Sequence, residues 1–245
     1  MKILVCITHV PDTTSRIAFV ENNTKFDNTN VQYIIGPYED YAISKAVDMK
    51  TSDNAHVTVL NVGGSETEPV LRRALAIGAD EAVRINATPV DSYYVARQIA
   101  GYIKEQSYDL VLMGRESIDF NGGIVHAMVG EILGIPAFSP VMQLEIKGDV
   151  AEMTREIEGG KEYFQAKLPF IAGCQEPIAE WKIPNMRGIM TARTKPFKVI
   201  EAIDSELRSV NRNFELPPEK GDIQYVDPDD VEKLYDLLKN EAKVF

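Results

Sequence analysis

The stretch Asp109 to Val125, DLVLMGRESIDFNGGIV, gathers the residue types in this chain best suited to chemistry. An apolar run, Leu110 to Met113, ends at Gly114 and opens into a polar loop with Arg115, Glu116, Ser117, Asp119 and Asn121. The loop closes on Gly122, Gly123, Ile124 and Val125, where a helix is expected to begin. A strand, a glycine-bearing loop and a helix N-terminus together make an anion site, because free backbone N–H groups and the helix dipole point the same way. Two more such loops are expected at the same sheet edge, Cys6 to Asp12 and the segment Val62, Gly63, Gly64, Ser65, with Gly36, Pro37, Tyr38 and Glu39 bordering the crevice. Small residues let N–H groups come close to a phosphate, so a nucleotide site is one reading. The other is that these glycines only turn corners, since no phosphate-loop or GxGxxG string is present. Asp119 can accept from a ribose hydroxyl or cap the helix expected at Gly122 and Gly123.

Catalysis by side chains has no named player. No serine sits in a nucleophile elbow, and no base is evidently paired with Cys6. The histidines His9, His56 and His126 lack Cys-x-x-Cys or His-Glu-x-x-His company, so no metal site is expected. Hydrophobic residues are 44% and charged residues 26%, which sets aside the disordered and fibrous classes. A net charge of −11 argues against nucleic acid or an anionic membrane as a partner. No window approaches the roughly 20 apolar residues of a membrane span. Pro11 and Asp12 cut the apolar start short, so MKILVCITHV reads as a strand and not a signal peptide. Cys6 and Cys174 lie inside apolar runs rather than a disulfide framework, and a reducing cytoplasmic location is expected.

The elements that must position the loop alternate in type. Lys2 to Thr8, His56 to Val62, Glu81 to Ile85 and Leu110 to Met113 are near-continuous apolar runs, the pattern of parallel strands covered on both faces. Helices are expected over Tyr38 to Met49, around Val70 to Ile77 with Gly78 as a left-handed cap, over Asp91 to Ile103, and from about Gly123 to Leu133. Asn22 and Asn23 mark a hairpin turn between Val20 and Lys25. The class is therefore α/β, a mainly parallel twisted Rossmann-like sheet with helices on both faces. Ligands of such sheets sit outside the carboxyl ends of the strands. Beyond Pro136, the runs Val141 to Ile146, Val150 to Ile157, Glu162 to Lys167 and Phe170 to Cys174 read as antiparallel hairpins extending the sheet. Residues 1–197 are expected to form the α/β body. Residues 198–245, with Pro217-Pro218 and a closing helix from Asp230 to Ala242, are expected to form an arm packing on a partner.

Five strings, KILVCITHVPDT, RRALAIGADEAVRI, DLVLMGRESID, REIEGGKE followed by LPF, and IPNMRGIMTARTKP, stand in one order over residues 1 to about 200. Together they resemble the β subunit of electron transfer flavoproteins. The resemblance implies an adenine-nucleotide-binding fold and a heterodimer whose α subunit makes most contacts to a redox FAD. It implies a non-enzymatic carrier between flavin dehydrogenases of the acyl-CoA type, as in fatty acid β-oxidation, and a quinone-linked acceptor. It also implies a structural AMP in this subunit or, in electron-bifurcating relatives, a second FAD. The AMP contacts it implies are Cys6, Gly36 to Glu39, Val62, Gly63 and the loop Gly114 to Val125. The family usually has Asn where Gly36 stands and Gln where Ile124 stands, and often Gly where His126 stands. Each lost hydrogen-bonding group is worth about 0.5–1.5 kcal/mol, so weakened nucleotide binding is expected. Ile178, Ala179 and Glu180 fall where the family offers an apolar anchor to a partner dehydrogenase, the alternative being a residue packed on its own domain. Glu156 matches a carboxylate that steers the flavin domain through an Arg of the α subunit; otherwise it is a solvated strand-edge acid. Two other classes fit the sequence less well. An adenylylating or nucleotide-hydrolysing enzyme needs a phosphate-gripping loop where the chain has His9-Val10-Pro11-Asp12, and a stress-type nucleotide-binding homodimer leaves the long arm unexplained.

Overall fold

The computed structural model describes all residues, Met1–Phe245. Ten strands of two sheets form the frame: β1 (Lys2–Cys6), β2 (His56–Gly63), β3 (Glu81–Asn86), β4 (Leu110–Gly114), β5 (Ala137–Val141), β6 (Gln143–Lys147), β7 (Val150–Ile157), β8 (Gly160–Lys167), β9 (Phe170–Cys174) and β10 (Phe197–Glu201). The central sheet has seven strands in the order β10-β3-β2-β1-β4-β9-β5. Every pairing in it is parallel. The continuous apolar runs follow from this, because both faces are covered. Ile3 and Val5 face one core layer with helices α1 (Pro37–Ser52) and α2 (Glu68–Ile77). Leu4 and Cys6 face the other, with α3 (Ser92–Lys104) and α4 (Val125–Leu133).

Chain order locates the crevice. From β1 the chain steps outward to β2 and β3, then returns to place β4 on the other side of β1. The carboxyl ends of β1 and β4 therefore diverge at a topological switch point. The hairpin turn expected at Asn22 and Asn23 is present, both residues adopting left-handed backbone, at φ 58° and 62°, between the paired residues Phe19–Val20 and Lys25–Phe26.

The second half differs from the pattern read in the sequence. Antiparallel strands are present, but β6, β7 and β8 form a three-stranded sheet of their own. Its Leu144, Ala151 and Met153 are buried in the α1 and α2 core layer. Phe170–Cys174 is not a hairpin strand. It returns to the central sheet as β9, between β4 and the unanticipated edge strand β5. Gly78 ends α2 with a positive φ of 154°, outside the usual left-handed well.

The arm also begins later than expected. The boundary at 197/198 falls inside β10, which pairs with β3, so the body runs on to Glu201. Beyond it, Gln98 on α3 grips the backbone of Ile203 with two hydrogen bonds of 2.8 Å. Phe214 stacks on Phe19 at 5.2 Å and donates its N–H to the Asn23 carbonyl at 2.7 Å. Residues 202–214 are thus fastened to their own domain at Ile203 and Phe214, although Leu207 and Val210 between them stay exposed. The arm ends in α6 (Val231–Asp236), which continues as a π-helical turn over Leu237–Glu241 and buries no residue.

Candidate functional site

A cavity of about 310 Å³ opens at the switch point, a size suited to a small ligand. Of the residues singled out in the sequence, Cys6, Glu39, Val62, Gly63, Gly114, Arg115, Glu116, Ser117, Asp119, Gly122, Gly123, Ile124 and Val125 line it. Gly36, Pro37, Tyr38 and Asn121 do not reach its wall. Thr8, Asn61, Glu66 and Asp91 line it as well, as do Ser209 and Asn211 from the arm. Asp91 carried a readable helix-start signal, whereas nothing local marks Ser209 or Asn211.

Gly123 sits at φ 60°, a left-handed conformation that disfavours any side chain. Helix α4 then starts at Val125, two residues later than its glycines foretold, with no side-chain cap at Ile124. Asp119 is not the cap, because its Oδ1 accepts from the N–H of Phe120 at 2.9 Å. The first-turn amides of α4 are left without a side-chain partner at the cavity, the arrangement that receives a phosphate. His126, buried on α4, reaches back with Nε2 to the Arg115 carbonyl at 3.2 Å. A carbonyl only accepts, so Nε2 carries the proton. Burial pushes the pKa of His126 down, against the pull of that carbonyl, and the ring braces the loop as a neutral imidazole.

Glu39 dominates the electrostatics of the floor. It is the third residue of α1, and its side chain folds back over the helix start beside Gly36 without capping it. Oε1 accepts from Thr8 Oγ1 at 2.9 Å, while Oε2 is buried with no partner. A Cβ on Gly36 would lie 2.0 Å from Oε2, so the carboxyl occupies the space that an Asn at position 36 would need. Burial raises the pKa of Glu39 to about 7; the Thr8 hydrogen bond opposes this, and Asp119 and Asp40 add to it. Burial and the nearby Glu39 likewise raise the Cys6 thiol, which stays neutral and is no activated nucleophile.

Arg115 ties the loop to the second sheet. It lies 3.3 Å from Glu116, and its guanidinium stands over the Tyr38 ring at 5.4 Å. Its Nη1 donates to Gln175 Oε1 at 2.9 Å, and Gln175 Nε2 donates to Glu156 Oε2 at 3.3 Å. The exposed Glu156 on β7 is thereby joined to the cavity loop through Gln175, a link that sequence spacing does not reveal.

In the loop after β9, Ile178 is buried, Ala179 half-buried and Glu180 exposed. Ile178 is 6% exposed and belongs to the main core layer, so it packs on its own domain and does not stand out as an anchor. Lys182 fixes the loop to α1 through a backbone bond to Ser44 (3.0 Å) and an ion pair with Asp48 (2.8 Å). The exposed apolar groups lie just beyond: Trp181, Ile183, Met186 and Met190. The last two share a face of the short helix α5 (Met186–Ala192). No group of three or more His, Cys, Asp or Glu is placed to hold a metal ion, and no helix is long and apolar enough to cross a membrane.

Comparison with known proteins supplies the remaining observation. The model of the electron transfer flavoprotein domain family matches residues 24–205. The electron transfer flavoprotein subunit beta of Bacillus subtilis is 34% identical over 258 residues, covering 100% of both chains. That of Syntrophomonas wolfei is 31% identical over 249 residues, covering 100% of this chain and 98% of its own. The acryloyl-CoA reductase electron transfer subunit gamma of Anaerotignum propionicum is 27% identical over 260 residues, covering 97% of each.

Proposed function

This chain belongs to the electron transfer flavoprotein β-subunit family, and on that premise we propose that it is the β subunit of a heterodimeric electron carrier. The full-length match to the β subunits carries the reading. In it, an α subunit holds most of a redox FAD, and the flavin supplies the electron chemistry. The residues of this chain bind, orient and dock. The donors are flavin dehydrogenases of the acyl-CoA type and the acceptor is quinone-linked. The Anaerotignum relative, an electron transfer subunit of an acryloyl-CoA reductase, supports acyl-CoA enzymes as the partner class.

The crevice is assigned to a structural AMP. Its volume, the uncapped first turn of α4 and the glycine backbone at Gly123 fit one phosphate on one nucleoside. Five carboxylates, on Glu39, Glu66, Asp91, Glu116 and Asp119, line the wall against the single arginine Arg115, which disfavours a polyphosphate. Exposed Leu216, Ile223, Tyr225, Val231, Leu234 and Tyr235 on the outer arm fit an α-subunit surface, and the patch beyond Ile178 fits a dehydrogenase. Arg115 and Gln175 hold the carboxyl end of β7, with Glu156, in place for the flavin domain.

Co-expression with the α chain tests the assignment. The purified complex is expected to be yellow and to bleach when an acyl-CoA dehydrogenase and its substrate are added, whereas this chain alone is colourless. Turnover of a small substrate by the single chain would contradict it.

A further inference from the structure

The C-terminal arm does more than leave the domain toward a partner. Between Ile203 and Phe214 it passes over the mouth of the crevice, and Ser209 and Asn211 form part of the cavity wall. One side chain holds it there. Asp91 Oδ1 accepts from the N–H of Tyr94 at 2.6 Å and caps α3, while Oδ2 accepts from the N–H groups of Arg208 (2.5 Å) and Ser209 (2.8 Å). Burial alone would raise the pKa of this carboxyl, but the N–H groups of Tyr94, Ser209, Arg208 and Tyr93 hold it below the ordinary range. It is therefore ionised near neutral pH, and hydrogen bonds to an ionised acceptor are the strong kind. Beside the latch, the Arg208 guanidinium lies over the Tyr93 ring at 5.1 Å. Downstream, Phe214 pins the segment to the Asn23 hairpin through the contacts described above.

We infer that residues 208–211 are part of the nucleotide site: Ser209 and Asn211 contribute polar contacts to the bound nucleotide, and Asp91 is the positioning residue that latches them over it. The inference rests on the assignment of an adenine nucleotide to the crevice. An extended segment pays for its own ordering poorly, and two fixed points with a carboxylate latch between them keep the wall in place before the ligand arrives. A closed mouth acts on escape more than on entry, so the effect falls mainly on the dissociation rate.

Two substitutions separate the latch from the cap and from the fold. Ser209→Pro deletes one N–H from which Asp91 accepts, together with the Ser209 hydroxyl on the wall, and leaves the Tyr94 bond on α3 intact. Asn211→Ala removes the amide from the wall and leaves the latch in place. In the heterodimer loaded with radiolabelled AMP, release after a chase of unlabelled AMP is expected to be at least about tenfold faster for Ser209→Pro, corresponding to a loss of about 1.4 kcal/mol. Asn211→Ala is expected to speed release by about threefold or more. Asn211→Ala should match the unsubstituted complex in melting temperature when free of nucleotide, and Ser209→Pro, which loses one hydrogen bond, should keep a single cooperative transition and the same far-UV circular dichroism, which sets a folding defect apart. AMP release at the unsubstituted rate in both variants overturns the role of the arm and leaves the AMP assignment standing. Failure of the unsubstituted complex to retain AMP overturns both.

Discussion

Glu39→Gln is expected to stabilise the nucleotide-free protein at pH 8 relative to the unsubstituted chain, with an advantage on the order of 2–3 kcal/mol larger than at pH 4.5. The Glu39 carboxyl titrates at about 7 when folded against an ordinary value of 4.5, with burial the main cause. Between those values the folded protein holds a proton that the unfolded chain has released. Unfolding therefore releases a proton, and the contribution of this group is present in full below pH 4.5 and declines as pH rises to about 7. Gln at 39 can still accept from Thr8, and it has no charge to leave buried beside Asp119 and Asp40. Asp40 is raised as well, to about 6 by burial, with Arg73 and Trp181 opposing; it is common to both proteins, so only its coupling to Glu39 enters the difference. Urea unfolding at the two pH values measures it. An equal stability difference at both would show that the Glu39 carboxyl is not held in the buried position described.

Ile178→Ala is expected to cost about 2–5 kcal/mol of stability, the range for truncating a buried isoleucine. Its side chain is 6% exposed within the core layer that α1 and α2 share. The same residue invites a docking role from its place in a proline-bearing loop, and the two roles predict opposite results. A docking anchor would leave the denaturation midpoint unchanged and weaken transfer from the dehydrogenase. For the core role, the midpoint falls while the m-value is kept. In the proposed complex, docking effects are expected instead at Met186 and Met190, 76% and 70% exposed.

How much of this was legible in the sequence depended on range. β1, β2 and β4 were readable because strands covered on both faces must be apolar throughout. The stretch Gly114 to Val125 was placed at the crevice because a strand end, glycines and a helix start are local signals, and the structure gathers most of its residues on one cavity. β9 is legible as a strand, but the link Leu168-Pro169 resembles a hairpin turn and hides its parallel pairing, and β5, directly after the helix stop at Gly134 and Pro136, carries no strand signal of its own. Which edge a strand joins is settled by distant partners, here β9 beside β4. Glu39 is legible as a residue of the site, but that its carboxyl fills the space beside Gly36 appears only when it is seen folded over that residue. Asp91 reads as a helix cap, yet its second bond joins it to residues 117 and 118 positions away, beyond any local pattern.

The nucleotide content of the native heterodimer bears most directly on the account of the crevice. The complex, purified without added nucleotide, is denatured, and the released adenine compounds are separated and quantified against the chain. AMP equimolar with this chain, beside FAD equimolar with the α subunit, is the expected result. FAD in twofold excess would place a second flavin in the crevice, and the absence of any nucleotide but the α-subunit FAD would leave it unfilled; either contradicts the assignment.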